Sequence, residues 1–122
     1  MKFVIHRHKA THLHWDLRLE IDGVLKSWAV PKEPPLKTGV KRLCIAVEDH
    51  SLDYADFEGE IPSGQYGAGW VEIWDKGEYE LIARDKDVIK FKAYGKKLHG
   101  IYVLYRFQKA GKNSWLLFKV AD

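Results

Sequence analysis

Cysteine is almost missing from this chain. Cys44 stands alone, so no internal disulfide can form, and a reducing, cytoplasmic setting is expected. Long apolar runs are missing too. The longest lie near Ile101–Leu104 and Trp115–Phe118, too short for a helical membrane span. The N-terminus has no apolar segment leading to a small-residue cleavage site, so no secretion signal is expected. Charge of one sign is scarce: 20 Lys and Arg against 17 Asp and Glu give a formal net charge of +3. That balance permits nucleic-acid binding without arguing for it. GxSxG, Walker-type and CxxC signatures are all lacking, which removes the usual hydrolase, nucleotide-loop and thiol-redox readings. Gly64–Gly69 (GQYGAG) has the glycine density of a phosphate loop, but a strand pattern follows it rather than a helix. No amphipathic helix longer than a turn or two can be drawn.

What the chain does contain is strict alternation. From His14, one parity carries His14, Asp16, Arg18 and Glu20, and the other Trp15, Leu17, Leu19 and Ile21. Period two marks a half-buried strand, one face in the core and one in water. Phe3–His8 reads as a strand upstream, with Lys9–Leu13 as a connection. Closed as a hairpin, the pair sets His8 opposite His14 and His6 opposite Asp16, with opposed Cβ atoms about 4.5–5.5 Å apart. Two imidazoles and a carboxylate then meet on one patch.

The rest of the chain reads as further short strands. Asp22-Gly23 is a two-residue hairpin turn joining Leu17–Ile21 to Val24–Val30. Pro31–Pro35 stops that strand. Lys41–Glu48 follows, with Leu43, Ile45 and Val47 on one face and Cys44 in or near the core. Ser51–Gly69 is irregular, the kind of long segment that is functional or folds as a lid. Trp70–Asp75 and Glu78–Arg84 read as strands around a Lys76-Gly77 turn. Val88–Tyr94, then Leu98–Gln108 kinked at Gly100, then Ser114–Val120 complete the count. Eight or nine strands at this spacing predict an all-β fold, a small closed or nearly closed barrel in one domain, residues 1–122.

Imidazole and carboxylate together suit a divalent first-row metal, with positions left for water or substrate. A solvated polar strand face would alternate as well, but it would carry Lys, Ser and Thr where this one carries His and Asp. Arg18 has the planar fork that grips phosphate oxygens; the competing reading is a cross-strand ion pair with Glu20 or another acid. Lys32 and Arg42 could extend a positive rim. His50 ends a strand and opens the irregular segment, with Tyr54 four residues on.

Three blocks carry a wider resemblance: FVIHRHKATHLHWDLRLEIDGVLKSWAVPK, VEDHSLDYADFEGEIPSGQYGAG and WLLFKVAD. With His8-x5-His14-x-Asp16-x-Arg18 in the first and His50 and Tyr54 in the second, the chain closely resembles the 3′-phosphoesterase family, found as a module of bacterial ligase D and as free-standing proteins. The resemblance implies a small β-barrel with its active site on a concave outer face. It implies a manganese-dependent enzyme, with Zn2+ or Co2+ as other metals for the same donors, that removes a 3′-terminal ribonucleoside and then the remaining 3′-phosphate. His8, His14 and Asp16 would be the metal ligands. Arg18, His50 and Tyr54 would surround the scissile phosphate, and Lys32 and Arg42 would help bind it. His50 or Tyr54 would give the proton to the leaving oxygen. His6 stands where the family is expected to carry a neutral amide, and with Glu48 it is placed behind the ligands. Family members in ligase D carry an N-terminal arm that helps catalysis, whereas here two residues precede the first strand, which bears on the phosphomonoesterase step.

The expected partners are DNA or RNA 3′ ends, as primer–template duplexes with a 3′ ribonucleotide, and a separate ligase or polymerase acting in trans. The protein is expected to be a monomer without membrane contact. Two other readings compete. One is a non-catalytic nucleic-acid-binding barrel that stacks bases on Tyr66, Trp70 and Trp74. The other is a metal-dependent hydrolase of small or cyclic phosphodiesters.

Overall fold

The computed structural model describes the chain from Met1 to Asp122. The strands are β1 (Lys2–Lys9), β2 (Leu13–Ile21), β3 (Val24–Val30), β4 (Lys41–His50), β5 (Gly59–Ile61), β6 (Gly69–Arg84), β7 (Val88–Tyr94), β8 (His99–Arg106) and β9 (Ser114–Ala121). They form one antiparallel sheet in the order β1-β2-β3-β4-β9-β8-β7-β6-β5, and β1 also pairs with β6. Eight strands therefore make a nearly closed, barrel-like ring, with β5 attached along β6. The all-β expectation holds. No helix is long and apolar enough to cross a membrane.

The interior is filled by one parity of each strand. Phe3, Ile5, Leu17, Leu19, Phe91, Tyr102, Leu104 and Leu117 are fully or almost fully buried there. Each such side chain contributes about 1.5–3 kcal/mol relative to exposure. Asp22 (φ 56°) and Gly23 (φ 81°) both take positive φ, as the two-residue hairpin requires. That turn pairs Ile21 with Val24 and so fixes Arg18 opposite Ser27. In the first hairpin His8 pairs with His14 and His6 with Asp16, the register read from the sequence. Lys9 and Leu13 also pair, so the connection is three residues rather than five.

Two expectations are corrected. Lys76-Gly77 is not a turn, because β6 runs unbroken for 16 residues. Its first half pairs with β1 and β5 and its second with β7. Gly77 is needed there for closeness, since a Cβ would lie 2.7 Å from the Tyr94 carbonyl oxygen.

On β4, Leu43, Ile45 and Val47 point outward and stay partly in water, while Cys44 is buried. Two indoles, Trp28 and Trp115, pack edge to face inside the barrel at 5.8 Å. They pair across the strands with Ala46 and Cys44 and leave room only for small side chains. Burial pushes the Cys44 thiol up to about 12, so it stays protonated and inert.

The outer face of β1 and β2 is not wet either. The short 3₁₀ helix Leu52–Asp56 lies across it, packing Ala55 on Val4 and Leu25 with Leu52, Tyr54 and Ile73 alongside. Asp16 and Arg18 are consequently only 5% and 4% exposed.

Candidate active site

His8, Asp16, Arg18, His50 and Tyr54 line a single cleft of about 330 Å³ on the outer face of the sheet, with His14, Ala29, Val47, Glu48, Ile61 and Tyr66 also in its wall. β1 supplies His8, β2 supplies His14, Asp16 and Arg18, and the end of β4 supplies His50. One ligand atom from each of His8, His14 and Asp16 lies within 4.8 Å of the others.

The hydrogen bonds settle which ring nitrogens face inward. His8 Nε2 donates to the Gly67 carbonyl at 2.7 Å, and His14 Nδ1 donates to the His12 carbonyl at 3.0 Å. A carbonyl can only accept, so those nitrogens carry the protons. The remaining nitrogens turn toward Asp16 Oδ2, His14 Nε2 at 3.2 Å and His8 Nδ1 at 3.7 Å. Two lone pairs and a carboxylate oxygen facing one another require positive charge between them, either added protons or a metal ion. His14 expresses that demand: its hydrogen bond to Asp16 raises its pKa despite burial. For Asp16, burial alone would push the carboxyl up. The facing imidazoles of His14 and His8 and the charge of Arg18 outweigh it and hold the carboxyl well below the usual range. Neutral imidazole on a carbonyl-fixed tautomer, beside an ionised carboxylate, is a donor set that fits a divalent ion.

Arg18 is the buried cation behind this cluster. It donates through Nε to His6 Nδ1 (3.0 Å), through one terminal nitrogen to Ser27 Oγ (2.8 Å), and through the other to Asp16 Oδ2 (3.3 Å). Three of its five N–H donors are thereby used and two remain. The alternative expectation of an ion pair is met through Asp16 and not through Glu20, which accepts from the Lys2 amide. Tyr54 covers the guanidinium with its ring centre 4.9 Å from the Arg18 Cζ atom, and it stacks on His50 at 4.3 Å. Burial, then the Arg18 charge, lowers the pKa of His50. Burial raises that of the Tyr54 phenol. Near neutrality, then, His50 is a neutral base and Tyr54 a protonated donor.

His6 lies beneath these groups. Its Nε2 donates to the Phe57 carbonyl at 3.1 Å while Nδ1 accepts from Arg18. Burial, reinforced by Arg18, lowers its pKa to about 4. The unfolded chain would take up that proton near 6.5, so stability is fully present above 6.5 and is lost as pH falls toward 4. The loss is ~3 kcal/mol at most. Urea melts of the chelated protein at pH 7 and pH 5 read this slope. His6→Gln, whose amide can also accept from Arg18 and donate to Phe57, is expected to flatten it.

The remaining expected residues are scattered. Glu48 is exposed on the cleft rim. Lys32 is exposed and Arg42 half-buried, and neither lines the cleft; Arg42 Nε donates to the Glu33 carbonyl at 2.8 Å, which puts it beside the loop carrying Lys32. Trp70 is 51% exposed and stands outside the cleft wall. Trp74 packs on the barrel core with the Lys97 ammonium 4.4 Å from its ring centre. Tyr66 alone of the three proposed stacking residues borders the cleft. Sequence reasoning passed over Ser27 and the carbonyls of Gly67 and Phe57. Ser27 could have been found, since the Asp22-Gly23 turn dictates its place opposite Arg18.

A sequence profile described as the DNA ligase D 3′-phosphoesterase domain matches residues 6–106. The chain belongs to that family. It is 48% identical over 128 residues to the multifunctional non-homologous end joining protein LigD of Pseudomonas aeruginosa, an alignment covering 100% of this chain and 15% of that protein. It is 50% identical over 124 residues to the multifunctional non-homologous end joining DNA repair protein LigD of Mycobacterium tuberculosis, covering 98% and 16%. Against the LigD of Mycolicibacterium smegmatis the values are 45% over 132 residues, covering 99% and 17%. The chain thus spans 15–17% of the length of these relatives.

Proposed function

We propose that this chain is a metal-dependent phosphoesterase that trims the 3′ ends of nucleic acid for repair, cleaving a 3′-terminal ribonucleoside and then the 3′-phosphate left behind. Family membership and the end-joining role named for the relatives support end processing in general. The observation that carries the metal-dependent reading is the convergence of His8, His14 and Asp16 beside a buried arginine that has donors to spare.

His8, His14 and Asp16 would hold the ion, Mn2+ in the first instance, with Zn2+ and Co2+ suited to the same donors. A bound divalent ion supplies Lewis-acid polarisation of a phosphoryl oxygen. The chain's own groups do the rest. Arg18 presents its two remaining N–H donors to the non-bridging oxygens, held in place by His6, Ser27 and Asp16. It neutralises charge as it develops, where a fixed donor contributes most. His50, neutral at working pH and stacked on Tyr54, would take a proton from the attacking water and, as the imidazolium, return it to the leaving oxygen. Tyr54, with its phenol pushed up, donates a hydrogen bond and screens Arg18 from water. Lys32 and Arg42 would meet phosphates further along the strand. The substrate would be a duplex primer–template ending in a 3′ ribonucleotide, and a ligase or polymerase in trans would use the trimmed end.

The test is a manganese-titrated digest of such a duplex, with product ends read as phosphate or hydroxyl. Cleavage that rises with Mn2+ and stops with chelator is expected. Product formation indifferent to chelator, or activity confined to small model esters, overturns the reading.

A further inference from the structure

The wall of the cleft mixes the polar groups His8, His14, Asp16, Arg18 and His50 with Ala29, Val47, Ile61 and the ring of Tyr66. Ala29 pairs with Asp16 on the neighbouring strand, and Ile61 and His8 both border Gly67. Val47, Glu48 and Tyr66 also bound a shallower concavity that continues from the cleft. Tyr66 is 87% exposed, and Val47 on β4 is 36% exposed. A large ring left in water contributes nothing to the core.

Yet the segment that carries Tyr66 is held. Gln65 N–H bonds the Pro62 carbonyl at 3.2 Å, and Ala68 N–H bonds the Gln65 carbonyl at 3.1 Å. These are two successive turns, and Tyr66 sits inside the second. Gly64 and Gly67 take the positive φ that the turns need. The Gly67 carbonyl, one residue after Tyr66, is the acceptor that fixes His8. The segment that presents the ring is therefore fastened to the candidate metal cluster itself. At its other end, Gly69 lies so close to the Lys9 carbonyl that no larger residue would fit.

We infer that the slot between Tyr66 and Val47 receives the base of the 3′-terminal nucleoside, the ring stacking on one face and the valine closing the other. This rests on the phosphoesterase reading of the polar groups. A nucleotide terminus joins an anionic phosphate to a flat base, and Tyr66 holds an exposed ring on the wall of the same cleft that contains Arg18 and His50. Stacking on an aromatic face tolerates any base, because every base has a π-face. The slot therefore recognises that a base is there, not which base it is.

The experiment uses two duplexes. One ends in a 3′ riboadenosine, and the other in a 1,4-anhydroribitol residue that keeps the phosphodiester and the 2′-hydroxyl but has no base. Wild type is expected to favour the first about tenfold in kcat/KM, within the range for one stacked base. Tyr66→Ala is expected to lose about tenfold on the first and stay within about twofold on the second, while Tyr66→Phe behaves as wild type. Equal losses on both substrates, or a preference that survives Tyr66→Ala, overturn the inference.

A second readout does not depend on turnover. A 2-aminopurine riboside placed at the 3′ end of the duplex is expected to be quenched on binding by wild type and Tyr66→Phe, and not by Tyr66→Ala. If wild type cleaves neither duplex, the phosphoesterase reading fails. Quenching that is the same in all three proteins then overturns the slot as well.

Discussion

Asp16→Asn is expected to cut turnover on a 3′-ribonucleotide end by at least about 10³-fold. The carboxylate is the only anionic donor of the cluster and the counter-charge of Arg18, and an amide of the same shape replaces neither charge. Several kcal/mol of transition-state stabilisation go with the ion, at a factor of ten per 1.36 kcal/mol. Stability falls too, because Arg18 is left buried without its partner, a loss of about 3–5 kcal/mol for a broken buried pair. His14→Ala separates the two effects. His14 is the more exposed ligand, so its removal should leave the melting curve near wild type and abolish turnover all the same. Rate and melting temperature measured on both variants check this. Wild-type rate in His14→Ala with saturating Mn2+ contradicts it.

The second large effect is Arg18→Lys, expected to lower kcat by about 10²–10³-fold, the loss typical of one preorganised charge-stabilising donor. Lysine keeps the charge but has no fork. It cannot reach His6, Ser27 and Asp16 together and still present two donors to phosphate. His6 Nδ1 and Ser27 Oγ lose a buried partner, which costs about 1–3 kcal/mol each at most. Steady-state kinetics separate this from a binding defect: a variant that raised KM and left kcat alone would place Arg18 in ground-state binding only.

The first hairpin was legible because period two leaves no choice of face. Once His8 and His14 are set opposite each other, Asp16 and His6 follow. The Asp22-Gly23 turn extends that register to β3; Ser27, opposite Arg18, was within its reach and was passed over. What covered the face was not legible. Ser51–Gly69 has no period to read, and it folds back through one small apolar cluster, Ala55 with Leu52 and Tyr54 on Val4 and Leu25, together with carbonyls at Phe57 and Gly67 that no side-chain pattern announces. Gly77 looked like a turn but serves a close approach between strands, and only coordinates separate those uses of glycine. Leu43, Ile45 and Val47 share a face as expected, but it is the outer one; the interior space belongs to two indoles, and small Cys44 and Ala46 fit beneath them. His6 was read as a residue behind the metal, and its hydrogen bonds tie it to Arg18 instead. Lys32 and Arg42 rested on their charge and on the resemblance, which fix position along the chain and not the direction of a side chain.

The central claim is that His8, His14 and Asp16 together grip one divalent ion. Titration of the chelator-stripped protein with Mn2+, followed by electron paramagnetic resonance of the free ion, tests it without any substrate. One ion bound per wild-type chain, and none at the same concentrations in Asp16→Asn, is the predicted result. Equal uptake by both proteins, or none by wild type, contradicts it.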